Sequence, residues 1–133
     1  MIRRIGDAAG NRAVGPYSQA VVAGGFAFTS GHLPAGSQAG EPFGDKVRRT
    51  LTVLGATLQE AGSSWQNVVK VNSYLTKPDQ LDEYNEVYRE FFPTDLPART
   101  TICVDIFGID LEIECIAVVG QQDREATDDS TTG

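Results

Sequence analysis

The stretch PARTTICVDIFGIDLEIECIAVV, residues 97–119, decides the fold. Ile102, Val104 and Ile106 share one phase in its first half; Leu111, Ile113, Cys115, Ala117 and Val119 share one in its second. That period of two belongs to β-strands. It predicts a strand over Thr100 to Phe107, a turn carried by Gly108 and Asp110, and a strand over Leu111 to Val119. The second strand is apolar on its other side too, through Ile116 and Val118. A strand of this kind needs cover on both faces, so subunits are expected to pack sheet to sheet.

Working back along the chain, Leu81, Tyr84, Tyr88 and Phe91 follow one helical stripe, which predicts a helix over about 78 to 92. Thr76 is its expected N-cap, with Pro78 in the first turn and Asp79 favouring the helix dipole. Before it, Val69, Val71, Ser73 and Leu75 alternate with Val68, Lys70, Asn72 and Tyr74, a strand with one wetter face. Val47, Leu51, Leu54 and Leu58 recur at helical spacing until Ala61-Gly62, which predicts a first helix over about 42 to 61. Residues 34 to 44 are turn-formers. Gln19 to Val22 and Phe26 to Ser30 flank Gly24-Gly25, a dipeptide suited to a hairpin turn. Strand pair, helix, strand, helix, strand pair is an α+β, split β-α-β layout, with two helices on one face of the sheet.

The chain has 133 residues, enough for one domain with its own core. Residues 1–120 are read as that domain. Residues 121–133 (QQDREATDDSTTG) carry four acids and one base without periodicity and are read as a disordered acidic tail. A net charge of −7 with no basic run longer than a dipeptide argues against a nucleic-acid partner. No apolar run approaches the ~20 residues of a spanning helix, and Met1-Ile2-Arg3-Arg4 leads into a glycine-rich stretch instead of an apolar signal core. No membrane association and a cytoplasmic location are therefore expected. Cys103 and Cys115 form no metal or redox motif and are read as buried thiols. His32 is the only histidine, which excludes a multi-histidine zinc site, and no metal is expected.

Some residues have a chemistry that their position would exploit. Arg99 follows Leu96-Pro97-Ala98 at the start of a strand, where a rigid guanidinium fork suits a carboxylate; the alternative is a surface arginine. Glu112 and Glu114 share a face of the last strand, where a partly buried carboxylate is either a general base or water-orienting group, or a solvated strand start. Tyr17 after Gly15-Pro16 presents its hydroxyl from a fixed turn or fills the core. Asn85 interrupts the second helix with poor helix propensity, to bond a loop or ligand or simply to face solvent.

Together, Gly15-Pro16-Tyr17-Ser18-Gln19, Thr29-Ser30-Gly31, Tyr84-Asn85 ahead of Phe91-Phe92, Pro97-Ala98-Arg99-Thr100 and Glu112-Ile113-Glu114 resemble the RidA (YjgF) family of enamine/imine deaminases over roughly residues 14 to 119. The resemblance implies a chorismate-mutase-like fold, assembled as a homotrimer whose sheets form a central barrel, with a ligand cleft at each subunit interface. It implies cofactor-free hydrolysis of 2-enamino and 2-imino acids of the 2-aminoacrylate type to 2-oxo acids and ammonia. Arg99 would hold the substrate carboxylate and Glu112 would position the attacking water. Tyr17, Ser30, Gly31, His32, Asn85 and Thr101 would contact the substrate or brace the cleft. Thr101 stands where many members have cysteine, His32 where glutamine is common and Val53 where asparagine is common, and Phe107-Gly108-Ile109-Asp110 shortens the usual turn. These departures keep two alternatives open: a pathway-specific imine deaminase resembling 2-aminomuconate deaminases, and a non-catalytic trimeric binder of small carboxylates.

Overall fold

The computed structural model describes residues 1–8, 11–12, 14–36 and 38–120. Its elements in chain order are β1 (Arg3–Ile5), β2 (Asp7–Ala8), β3 (Asn11–Arg12), β4 (Ala20–Ala23), β5 (Phe26–Thr29), α1 (Phe43–Glu60), β6 (Val68–Leu75), α2 (Leu81–Phe91), β7 (Ala98–Cys103) and β8 (Leu111–Val118). Short 3-10 turns at Trp65–Asn67 and Pro78–Gln80 lead into β6 and α2. The six-stranded sheet has the order β1-β4-β5-β8-β6-β7, and β2 and β3 form a separate two-stranded ribbon. Among the described residues only β6 and β7 pair in parallel, as expected of strands joined through a helix. Among the described residues, no helix is long and apolar enough to cross a membrane.

Both helices lie on one face of this mixed sheet, and the predicted stripes are the ones that meet there. Val47, Leu51, Leu54 and Leu58 of α1 and Tyr84, Val87 and Tyr88 of α2 pack on Val68, Val71 and Leu75 of β6 and on Leu111, Ile113, Cys115 and Ala117 of β8. Each such aliphatic side chain contributes roughly 1.5–3 kcal/mol when removed from water. The helices are also joined at their ends, since the Gly44 amide in the first turn of α1 donates to Glu83 Oε2 of α2 at 2.6 Å. A helix start has free amides, so a carboxylate from the neighbouring helix satisfies one and complements the dipole.

Several expectations are corrected. The last two strands do not form a hairpin, because β8 inserts between β5 and β6 while β7 pairs on the far side of β6. The strand predicted over Thr100 to Phe107 is Ala98–Cys103. Its single neighbour β6 ends at Leu75, and Phe107 and Gly108 turn away at φ 40° and 80°. Cys103 at that strand end is exposed and only Cys115 is buried. The N-cap before Pro78 is Lys77, not Thr76; the Gln80 Oε1 atom accepts from the amides of Thr76 and Lys77, each at 3.0 Å. Strand β1 was not anticipated. It pairs antiparallel with β4 at the sheet edge and buries only Ile5. The proposed acidic tail, residues 121–133, lies outside the described residues.

The helix-free face of the sheet carries Phe26 and Phe28 of β5 and Ile102 of β7, which are 40%, 43% and 45% exposed. The register pairs Phe26 and Phe28 with Val118 and Ile116 of β8, and sets Ile102 on the same face, in line with Tyr74 and Glu112. The second apolar face read from the sequence is therefore real and, in the single chain, bare.

Candidate functional site

Arg99 points to the helix side of β7. Its guanidinium lies over the rings of two tyrosines of α2, 4.7 Å from the centroid of Tyr88 and 5.4 Å from that of Tyr84. Stacking of this kind orients a guanidinium and leaves its N–H edge free. Among the described residues Arg99 makes no ion pair, although the exposed Arg48 and the partly buried Arg49 both do. With Asn85, Tyr88, Arg89, Leu96 and Pro97 it lines an open cavity of about 250 Å³.

The polar groups around this cavity are incomplete. Among the described residues, Asn85 Oδ1 and Tyr88 Oη of this lining, and Thr101 Oγ1 on the same face of β7, are buried without a hydrogen-bond partner. A buried polar atom left unsatisfied costs about 1–3 kcal/mol, and a polar ligand in the cavity could satisfy those of Asn85 and Tyr88 beside the Arg99 guanidinium. Burial pushes the Tyr84 phenol up to about 12 and raises Tyr88 further, so both remain neutral O–H groups. Tyr84 Oη is already committed to Ser73 Oγ.

A second group of predicted residues lies elsewhere. Tyr17, Gly31 and His32 line a small cavity of about 40 Å³ with Val14, Gln19, Leu33 and Ala35. Glu112 packs against Gly31 so closely that a Cβ built on the glycine would stand 2.5 Å from the carboxyl carbon. Burial, with the charge of Glu114 as a lesser cause, raises the Glu112 carboxyl above its ordinary value. The two carboxylates of β8 are thereby distinguished. Glu114 accepts from Asn72 Nδ2 at 3.1 Å and from Tyr74 Oη at 3.3 Å, whereas Glu112 accepts from no described residue. Ser30 Oγ donates to the Ser18 carbonyl at 2.6 Å. The imidazole of His32 is directed at α1, with Nε2 2.8 Å from Thr57 Oγ1.

The structure thus brings Arg99 and Asn85 into one cleft, with Thr101 on the same face of β7, and gathers Tyr17, Gly31, His32 and Glu112 near another. The two clefts are not joined within one chain. Glu112 pairs with Tyr74 and faces the bare side of the sheet, while Arg99 pairs with Val71 and faces the helices. Two strand spacings and three residues of register put the backbones of Arg99 and Glu112 about 14 Å apart. Sequence reasoning missed Tyr84 and Tyr88 as parts of the site, treating them as a core stripe. Their spacing of four on either side of Asn85 is the signal that would have found them.

The family model described as Endoribonuclease L-PSP matches residues 8–119. The chain is 35% identical over 127 residues to the 2-iminobutanoate/2-iminopropanoate deaminase of Capra hircus, covering 90% of this chain and 93% of that protein. It is 41% identical over 110 residues to the Protein mmf2, mitochondrial, of Schizosaccharomyces pombe, covering 77% of this chain and 87% of that one. The crystal structure of RidA from an Antarctic Psychrobacter superposes with a TM-score of 0.73 at 32% identity, covering 80% of this chain and 91% of that one. The spacing of the quoted motifs, the two helices on a mixed sheet and these likenesses agree: the chain belongs to the RidA (YjgF) family.

Proposed function

We propose that the protein hydrolyses reactive 2-enamino and 2-imino acids to 2-oxo acids and ammonia, in a cleft completed between subunits. The observation that carries this reading is Arg99, stacked on two tyrosines without an acidic partner and surrounded by unsatisfied buried polar atoms. A small carboxylate on the guanidinium fork, with polar groups beside it for Asn85, Tyr88 and Thr101, would answer each of these vacancies. The goat relative is named for substrates of this chemistry.

An enamine first tautomerises to the imine, whose C2 is electrophilic. Water adds to C2, the C–N bond breaks, nitrogen leaves as ammonia and C2 becomes the carbonyl of the oxo acid. Glu112 is assigned to place that water, because it is the carboxylate of β8 with free lone pairs and a raised pKa. Arg99 fixes the substrate so that addition is effectively unimolecular. Its separation from Glu112 and the bare apolar sheet face together favour an assembly, taken as a trimer, in which Arg99 of one subunit faces Glu112 of the next. The net charge of −7 disfavours RNA as substrate.

The test generates imino acids in situ with an amino acid oxidase and traps the survivors with semicarbazide. The native protein is expected to deplete the trapped product. Arg99→Lys keeps the charge but not the fork, and is expected to lower kcat/KM roughly 10- to 100-fold, chiefly through KM. Glu112→Gln is expected to lower kcat by a factor on the order of 100. Full activity in Arg99→Lys and Glu112→Gln would refute the assignment, and no activity on any imine would leave a carboxylate binder as the function.

A further inference from the structure

Strands β5 and β8 keep register from Phe26↔Val118 to Phe28↔Ile116, but the next pairing is His32↔Ile113. One strand therefore uses an extra residue, and the chain bulges between Thr29 and Gly31. A bulge takes backbone groups out of the ladder, and side chains satisfy them here. The Cys115 amide donates to Thr29 Oγ1 at 2.9 Å, and the Ser30 carbonyl lies 2.8 Å from His32 Nδ1. A carbonyl only accepts, so Nδ1 carries the proton, and Nε2 of the neutral ring accepts from Thr57 Oγ1 on α1 at 2.8 Å. His32 is 3% exposed, which shields both bonds from water. Between the two ends of this clamp lies Gly31, and the space its side chain would occupy is filled by the Glu112 carboxyl group.

We propose that His32 is a positioning residue for Glu112: it ties the bulge to α1 through Ser30 and Thr57 and so holds the Gly31 backbone against the carboxylate. The inference rests on the role given to Glu112 above and removes His32 from the substrate contacts, since both ring nitrogens are used inside the subunit. Thr57, on a helix that contributes nothing else to this cleft, becomes the second member of the device.

Thr57→Val keeps the side-chain shape and deletes the hydroxyl, and Thr57→Ser restores it. His32→Asn retains a donor at the Nδ1 position and loses the bond to Thr57, which provides a second route should Thr57→Val fold poorly. Two readouts are taken on each variant: NMR titration of the Glu112 carboxyl carbon, and imine hydrolysis normalised to carboxylate-binding sites so that unfolded protein is not counted. Thr57→Val and His32→Asn are expected to lower kcat roughly three- to tenfold at unchanged KM, the worth of one hydrogen bond, with recovery in Thr57→Ser. The Glu112 midpoint is expected to fall toward its ordinary 4.5 in the same variants. A Glu112 midpoint and a kcat unmoved in both variants overturn the proposal. Should the native protein hydrolyse no imine, the functional reading fails by itself, and the Glu112 titration decides the positioning role alone.

Discussion

Glu112 and Glu114 differ by two positions on one strand, and their surroundings differ sharply. Glu114 is tied to Asn72 and Tyr74, while Glu112 is half-buried on Gly31 with its oxygens free. Burial holds the Glu112 carboxyl above the ordinary 4.5, so the carboxylate proposed to place the water is lost as pH falls through that raised value. The acid limb of kcat/KM is expected above the ordinary carboxylate range and is expected to disappear in Glu112→Gln; an unchanged limb in that variant would assign it to another group. His32 acts in the opposite sense. Burial lowers its pKa, so the unfolded chain takes up a proton near 6.5 while the folded chain resists. The unfolded state then binds more protons, and stability falls as pH drops below 6.5 toward the folded value. Denaturant melts across this window are expected to show that slope in the native protein and a flatter one in His32→Asn.

At the scale of elements, α1 has a glycine in its middle for a reason of packing. A Cβ built on Gly55 would stand 2.8 to 3.0 Å from three atoms of the Trp65 indole, and that ring is itself held edge-on by Phe91 and Phe92 at 5.4 and 5.3 Å. Glycine to alanine inside a helix ordinarily stabilises by up to about 1 kcal/mol. Here the overpacking term dominates, and Gly55→Ala is expected to destabilise by about 1–3 kcal/mol in chemical denaturation; a gain in stability would contradict the packing. The helices and inner strands were legible because their periodic apolar residues all face one core. Strand β1 was not, because three residues at a sheet edge with one buried side chain leave no period to read. Strand order was hidden as well. The turn at Gly108 reads as a hairpin, and only the pairing of β8 with β5 and β6 shows that it is not. In the proposed site, chemistry and motif single out Arg99 and Glu112, but spacing carries no information on which sheet face each side chain takes, or that His32 turns to α1.

At the scale of the whole molecule, the proposed shared site and the bare apolar sheet face call for the same arrangement of subunits. Arg99 with Asn85 sits on one side of the sheet and Glu112 with Gly31 on the other. A single chain does not bring the two groups together, whereas the proposed cyclic assembly would close every cleft with the same pair of surfaces. The most direct measurement is subunit complementation. Arg99→Ala and Glu112→Gln chains, each expected to retain little activity alone, are co-refolded in equal amounts and assayed for imine hydrolysis. Random mixing in a ring leaves about a quarter of the clefts with a native arginine from one subunit and a native glutamate from its neighbour, so about a quarter of native activity is predicted. Activity that stays at the level of the separate variants, in assemblies proved to be mixed, would contradict a site shared between subunits.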